Sequence, residues 1–156
     1  VILDRVLTGY RIGDPNGAHP IFDATGSKLY PGRWNTPLNP VIYASAHYST
    51  AMLEKLAHGS GVLPPNQHWI DITIPNGITY ETFSVAHMPM WADPACTDAK
   101  AYGADWQTSK RSLLMIVPSV LARMEDNYLL NADHPEFSKV TWGLAKPCWW
   151  DKRLFP

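Results

Sequence analysis

The alternation of apolar and polar positions divides the chain into short elements separated by turns. Residues 69–74 (Trp-Ile-Asp-Ile-Thr-Ile) alternate with period two, which predicts a half-buried strand closed by Pro75-Asn76-Gly77. Val41-Ile42-Tyr43-Ala44 reads as a short buried strand, and residues 113–117 as a continuous apolar strand stopped by Pro118. Tyr128-Leu129-Leu130 forms another, followed by the turn Asn131-Ala132-Asp133-His134-Pro135. Residues 47–58 hold Ala, Met, Leu, Glu and Lys with no Gly or Pro, so they predict a helix, with Ser45 as its cap and Gly59 as its stop. On that helix Tyr48, Met52, Leu53 and Leu56 make the apolar face. Glu54 projects on the other side, with His47, Thr50 and His58. A second helix is predicted over 97–108.

Between Arg11 and Asn39 the pattern breaks down. Gly13, Pro15, Gly17, Pro20, Gly26, Pro31, Gly32 and Pro37 fall in this stretch, which reads as one long structured loop. With no repeat and no linker, residues 1–156 make a single α+β domain: short mixed and antiparallel strands with few helices.

Composition narrows the function classes. The formal charge is −1, with 13 basic against 14 acidic residues and no basic run, so direct nucleic-acid binding is not expected. No apolar run approaches the roughly 18–20 residues that span a bilayer. Cys96 and Cys148 form no C-x-x-C pair, which argues against a zinc site and fits a reduced, cytoplasmic protein. Seven Trp, seven Tyr and four Phe exceed what a small core needs, so some rings should line a pocket or surface.

The common catalytic fingerprints are missing. The chain has no G-x-G-x-x-G, no P-loop, no H-E-x-x-H and no G-x-S-x-G. The informative stretch is Gly32-Arg33-Trp34-Asn35, then Tyr43 on a strand, then Glu54 on the next helix. An arginine suits a diphosphate through its planar fork, and a tyrosine ring can stack on a flat heterocycle. A carboxylate can stabilise the positive charge that grows on a ribose as its glycosidic bond breaks. By pattern alone each residue also has an ordinary reading: Arg33 as a loop arginine stacked on an aromatic, Tyr43 as core, Glu54 as a solvated helix residue.

Taken together, the chain resembles the RES-domain family over about 145 residues. The resemblance rests on Tyr10-Arg11-Ile12-Gly13-Asp14-Pro15, Gly32-Arg33-Trp34-Asn35, Val41-Ile42-Tyr43-Ala44-Ser45 and Ala51-Met52-Leu53-Glu54. It continues through Arg111-Ser112, Val117-Pro118-Ser119, Asn131-Ala132-Asp133-His134-Pro135-Glu136-Phe137 and Trp150-Asp151-Lys152-Arg153-Leu154-Phe155. One departure is Pro31-Gly32-Arg33, where the family usually has two glycines before the arginine.

That resemblance implies an ADP-ribosyltransferase-like fold and a toxin of a toxin–antitoxin pair that takes NAD as substrate and breaks its nicotinamide–ribose bond. It implies Arg33, Tyr43, Glu54 and Ser119 as catalytic candidates. Arg11 is an alternative family arginine, and Ser112 an alternative serine. Arg11, Ser112, Asn131, Trp34 and Asn35 are the candidates for substrate binding, and the scheme calls for no metal. The implied partner is an antitoxin with a helix-turn-helix DNA-binding region. Two alternatives accompany this reading: an enzyme that transfers ADP-ribose to a protein acceptor, and a non-catalytic aromatic-rich binding module. Trp149, Trp150 and Phe155 are assigned to the core or to a partner-facing surface.

Overall fold

The computed structural model describes residues 1–155. Its centre is an eight-stranded sheet: β1 Leu7–Gly13, β2 Ile42–Ser45, β3 His68–Ile74, β4 Tyr80–Thr82, β5 Leu114–Pro118, β6 Asp126–Leu130, β7 Thr141–Trp142 and β8 Lys146–Pro147. The order is β4-β5-β6-β2-β1-β3-β7, with β8 also on the outer edge of β3. Only β4 and β5 run parallel; every other pair is antiparallel. Three α-helices, α1 Thr25–Leu29, α2 Tyr48–His58 and α3 Thr97–Ser109, complete the α+β architecture.

Side chains alternate across the central strands and feed two cores. Along β5, Leu114 and Ile116 join Ile42, Ala44, Ile70, Ile72 and Leu130 on one face. Met115 and Val117 join Trp34, Val41, Phe83, Trp106 and Leu129 on the other. A sheet buried on both faces explains why 113–117 is apolar throughout rather than alternating.

Most predicted elements recur with shifted ends, and three readings are corrected. The stretch 11–39 is not wholly loop, because Arg11–Gly13 close β1 and α1 lies inside it. Ser45 does not cap α2: the N-cap is His47, with no side-chain cap bond, and Ser45 ends β2 instead. The apolar face assigned to α2 is also reversed in part. Leu53 is 46% exposed, whereas Thr50 and Ala51 are buried. Tyr48, Met52 and Leu56 are half-buried as expected, and the helix also lays the side carrying Thr50, Ala51 and Glu54 against the protein.

Candidate active site

Register brings the site together. Tyr43 and Ser45 sit two residues apart on β2 and so share a face, about 7 Å apart along the strand. Across the β2–β6 ladder Tyr43 pairs with Leu129 and Ser45 with Asn127. The α2 helix turns back from the end of β2 and delivers Glu54 to this face.

Glu54 is held there by two donors. Ser119 Oγ donates to Glu54 Oε1 across 2.9 Å, and Asn127 Nδ2 donates to the same oxygen across 2.8 Å. Ser45 Oγ donates to Asn127 Oδ1 across 2.8 Å, which fixes the amide so that its NH2 faces the carboxylate. Ser119 is fully buried, and its Oγ also accepts from the N–H groups of Leu121 and Ala122. Among the described residues Glu54 Oε2 has no protein partner and stays open to solvent. One carboxylate oxygen is thus fixed and the other free.

Beside this network stands the 32–35 loop, braced from several directions. Tyr43 Oη donates to Asn35 Oδ1 (2.7 Å) and accepts from the Trp34 N–H (3.1 Å). Burial pushes the Tyr43 hydroxyl well above the ordinary tyrosine range, so it remains a protonated donor. Gly32 packs against the hydroxyl end of the Tyr43 ring, where a Cβ would come within 2.7 Å of the hydroxyl. Lys100 Nζ donates to the Gly32 and Asn35 carbonyls. Arg33 Nη1 donates to the Trp91 and Asp93 carbonyls at 3.1 and 2.7 Å, leaving the rest of its guanidinium fork without a protein partner among the described residues.

Arg11 lies at the other border. Its Nε donates to the Ile21 carbonyl and its Nη1 to the Tyr43 carbonyl, at 2.6 and 2.7 Å. Burial lowers its pKa to about 10, opposed by Asp23, and it remains a cation at neutral pH. It shares a recess of about 120 Å³ with Lys55, His19 and Asp23. Lys55 is lowered from the usual lysine range by burial and then by the Arg11 charge. Arg11 and Lys55 share this recess with the Asp14 and Asp23 carboxylates, next to the Tyr43 carbonyl and one residue along α2 from Glu54.

The remaining candidates lie elsewhere or below the surface. Ser112 and Ser119 flank opposite ends of β5, about 23 Å apart by strand rise. Ser112 Oγ accepts from Trp106 Nε1 and donates to the Leu114 carbonyl inside the core. Asn131 is at that same far end, buried, bonded to the Gln107 carbonyl and to the Asp133 N–H. Trp34 is a core ring against Phe83, and Asn35 is fully buried with both ends of its amide engaged. The structure therefore brings together Glu54, Ser119 and Tyr43, bordered by Arg33 and Arg11, and not Ser112 or Asn131. Sequence reasoning missed Asn127 and Lys55. Asn127 lies outside the predicted strand 128–130, and only the β6 register reveals that it faces Ser45.

The RES domain family matches residues 8–151. The chain belongs to the RES domain family. It is 31% identical over 150 residues to the Prs ADP-ribosylating toxin of Sphingobium sp. (strain YBL2), covering 93% of this chain and 89% of that protein. It is 35% identical over 117 residues to Toxin Res of Yersinia enterocolitica, covering 72% and 75% of the two chains. Among solved structures, it matches a chain of the M. tuberculosis MbcT–MbcA toxin–antitoxin complex with a TM-score of 0.72 and 14% identity. That match covers 94% of this chain and 86% of the other, and it shows a shared fold.

Proposed function

We propose that this RES-domain protein is the toxin of a toxin–antitoxin pair and consumes NAD by breaking its nicotinamide–ribose bond. The observation that carries the reading is the state of Glu54: Oε1 is fixed by Ser119 and Asn127, while Oε2 has no protein partner among the described residues. A carboxylate locked in this way needs no reorganisation to meet a cation forming on the ribose.

In this reading NAD lies along the β2 face between α2 and the 32–35 loop. The free fork of Arg33 takes the diphosphate, with the Arg11 cation at the border of the site. Tyr43 flanks the nicotinamide end. As the C1′–N bond breaks, its electron pair leaves with nicotinamide and positive charge develops on the ribose. Glu54 Oε2 stabilises that charge or orients a ribose hydroxyl, and water or phosphate attacks C1′. Trp34 and Asn35 act by bracing the loop that presents Arg33.

The name of the Sphingobium relative favours a second reading on the same site, in which a side chain of a protein acceptor attacks C1′ and receives ADP-ribose. The relatives' names and the shared fold with a toxin–antitoxin complex support a cognate antitoxin as partner, for which the family resemblance implies a helix-turn-helix region, and a cytoplasmic site of action.

The test is to incubate purified protein with ribose-labelled NAD, with and without phosphate and cell lysate. Free ADP-ribose marks hydrolysis, its 1″-phosphate marks phosphorolysis, and label on a protein band marks transfer. NAD left intact under all three conditions overturns both readings.

A further inference from the structure

A second cavity, of about 320 Å³, lies between the 63–68 segment and the chain after β8. Tyr48 of α2 meets the Cys148 thiol that lines it, while Glu54 of the same helix reaches Ser119 and Asn127.

Its lining carries the two buried side-chain atoms that lack a hydrogen-bond partner among the described residues. They are Gln67 Oε1, an acceptor, and Trp150 Nε1, a donor. Gln67 is 8% exposed, and its Nε2 is already spent on the Pro65 carbonyl, so the amide cannot simply turn over to satisfy Oε1. Each orphan costs about 1–3 kcal/mol, and two on one cavity call for an occupant.

The lining also states what that occupant is. An orphan acceptor and an orphan donor on residues of one lining are matched by a group that both donates and accepts, as a carboxamide or lactam does. Pro64, Pro147, Leu63 and the Trp150 ring supply apolar walls suited to a flat ring. Among the described residues no Lys, Arg, Asp or Glu lines the cavity, which disfavours phosphates and carboxylates. The volume fits one or two rings rather than a dinucleotide.

We infer that this cavity is a second ligand site for a small, neutral, planar carboxamide or lactam, which donates to Gln67 Oε1 and accepts from Trp150 Nε1. Both protein atoms are sealed from water, so binding turns the indole or the amide toward the cavity. Nicotinamide is the natural probe, being the product released under the proposed function. The chemistry of the cavity stands apart from that reading.

The experiment is a titration of the ¹⁵N-labelled full chain with nicotinamide to about 1 mM, following the Trp150 indole N–H. Loss of that resonance in Trp150→Phe assigns it. A saturable shift is expected, with no response to benzoic acid, which has a similar ring but is anionic at neutral pH and lacks the amide donor. Gln67→Leu and Trp150→Phe are each expected to weaken binding about tenfold, read for the latter from the Gln67 side-chain amide. Glu54→Gln is expected to leave it unchanged, whether or not that variant consumes NAD. The inference is overturned by an indole signal that ignores nicotinamide, by equal binding of benzoic acid, or by full affinity in both cavity variants. An indole proton that exchanges only with a trapped water overturns it as well.

Discussion

Ser119 Oγ donates to Glu54 Oε1 across 2.9 Å, tying the end of β5 to the middle of α2 over 65 residues of sequence. Removing the hydroxyl leaves the carboxylate with Asn127 as its one donor and frees it to swing. Ser119→Ala is expected to slow NAD turnover about tenfold. Thermal unfolding should show a smaller loss of stability, because the Leu121 and Ala122 N–H groups also lose their acceptor. Steady-state kinetics beside a melt separate the two effects, and unchanged turnover contradicts the role given to Ser119.

Asn127 offers a sharper electrostatic test. Asn127→Asp puts a second carboxylate where a donor faced Glu54, and two like charges so close disfavour full ionisation. If the reaction needs the Glu54 carboxylate ionised, the acid limb of the pH–rate profile moves to higher pH. Asn127→Ala removes the donor without adding charge, so it should lower the rate and move that limb in the same direction by less. A profile unmoved in Asn127→Asp removes Asn127 from the account.

Arg33 is held by two carbonyls of the 91–93 segment through one nitrogen. A lysine has a single ammonium and cannot keep those contacts while also offering a fork to a diphosphate. Arg33→Lys is expected to raise KM for NAD about tenfold or more. Arg11→Lys should also raise KM, because it vacates the Ile21 and Tyr43 carbonyls. Initial rates across NAD concentration check both.

The loop that carries Arg33 depends on a close approach of α3. A Cβ on Gly103 would fall 1.7 Å from the Trp34 carbonyl oxygen, a backbone atom that cannot step aside. Gly103→Ala should cost about 3 kcal/mol in denaturant unfolding, despite the better helix propensity of alanine. A neutral or stabilising result contradicts the packing described.

A stability test lies far from the site. Burial works against the charge of Glu136, but bonds from the Thr79 hydroxyl and N–H and from Lys139 outweigh it and hold its carboxyl below the usual glutamate range. A depressed folded pKa stabilises fully above the unfolded value, and that contribution is lost as pH falls through the folded one. Glu136→Gln should therefore lower the denaturation midpoint at neutral pH, and the gap from the native chain should close in acid below about pH 4.

How far the sequence carried the argument depends on whether local pattern or register decided the outcome. The strand over 69–74 and the helix over 97–108 were legible because periodicity and breakers are local. The β1 strand was hidden because Gly9 and Gly13 sit in it, both packed against neighbours too near for a larger side chain to fit easily. The buried face of α2 was misread because Thr50, Ala51 and Glu54 turn inward to build a site, while Leu53 stays outside. Glu54 and Ser119 were reachable through family resemblance. Asn127 was not, since its part rests on the β2–β6 register and on Ser45, whose hydroxyl serves the site and not the helix cap.

The most direct test of the central claim is nicotinamide release from NAD by the purified chain, compared with Glu54→Gln. The account predicts steady release by the native chain and a loss of at least a hundredfold in the variant, with unfolding midpoints that stay close. Equal release by both proteins contradicts the role of Glu54, and no release by the native chain, with or without cell lysate as acceptor, contradicts the proposed function itself.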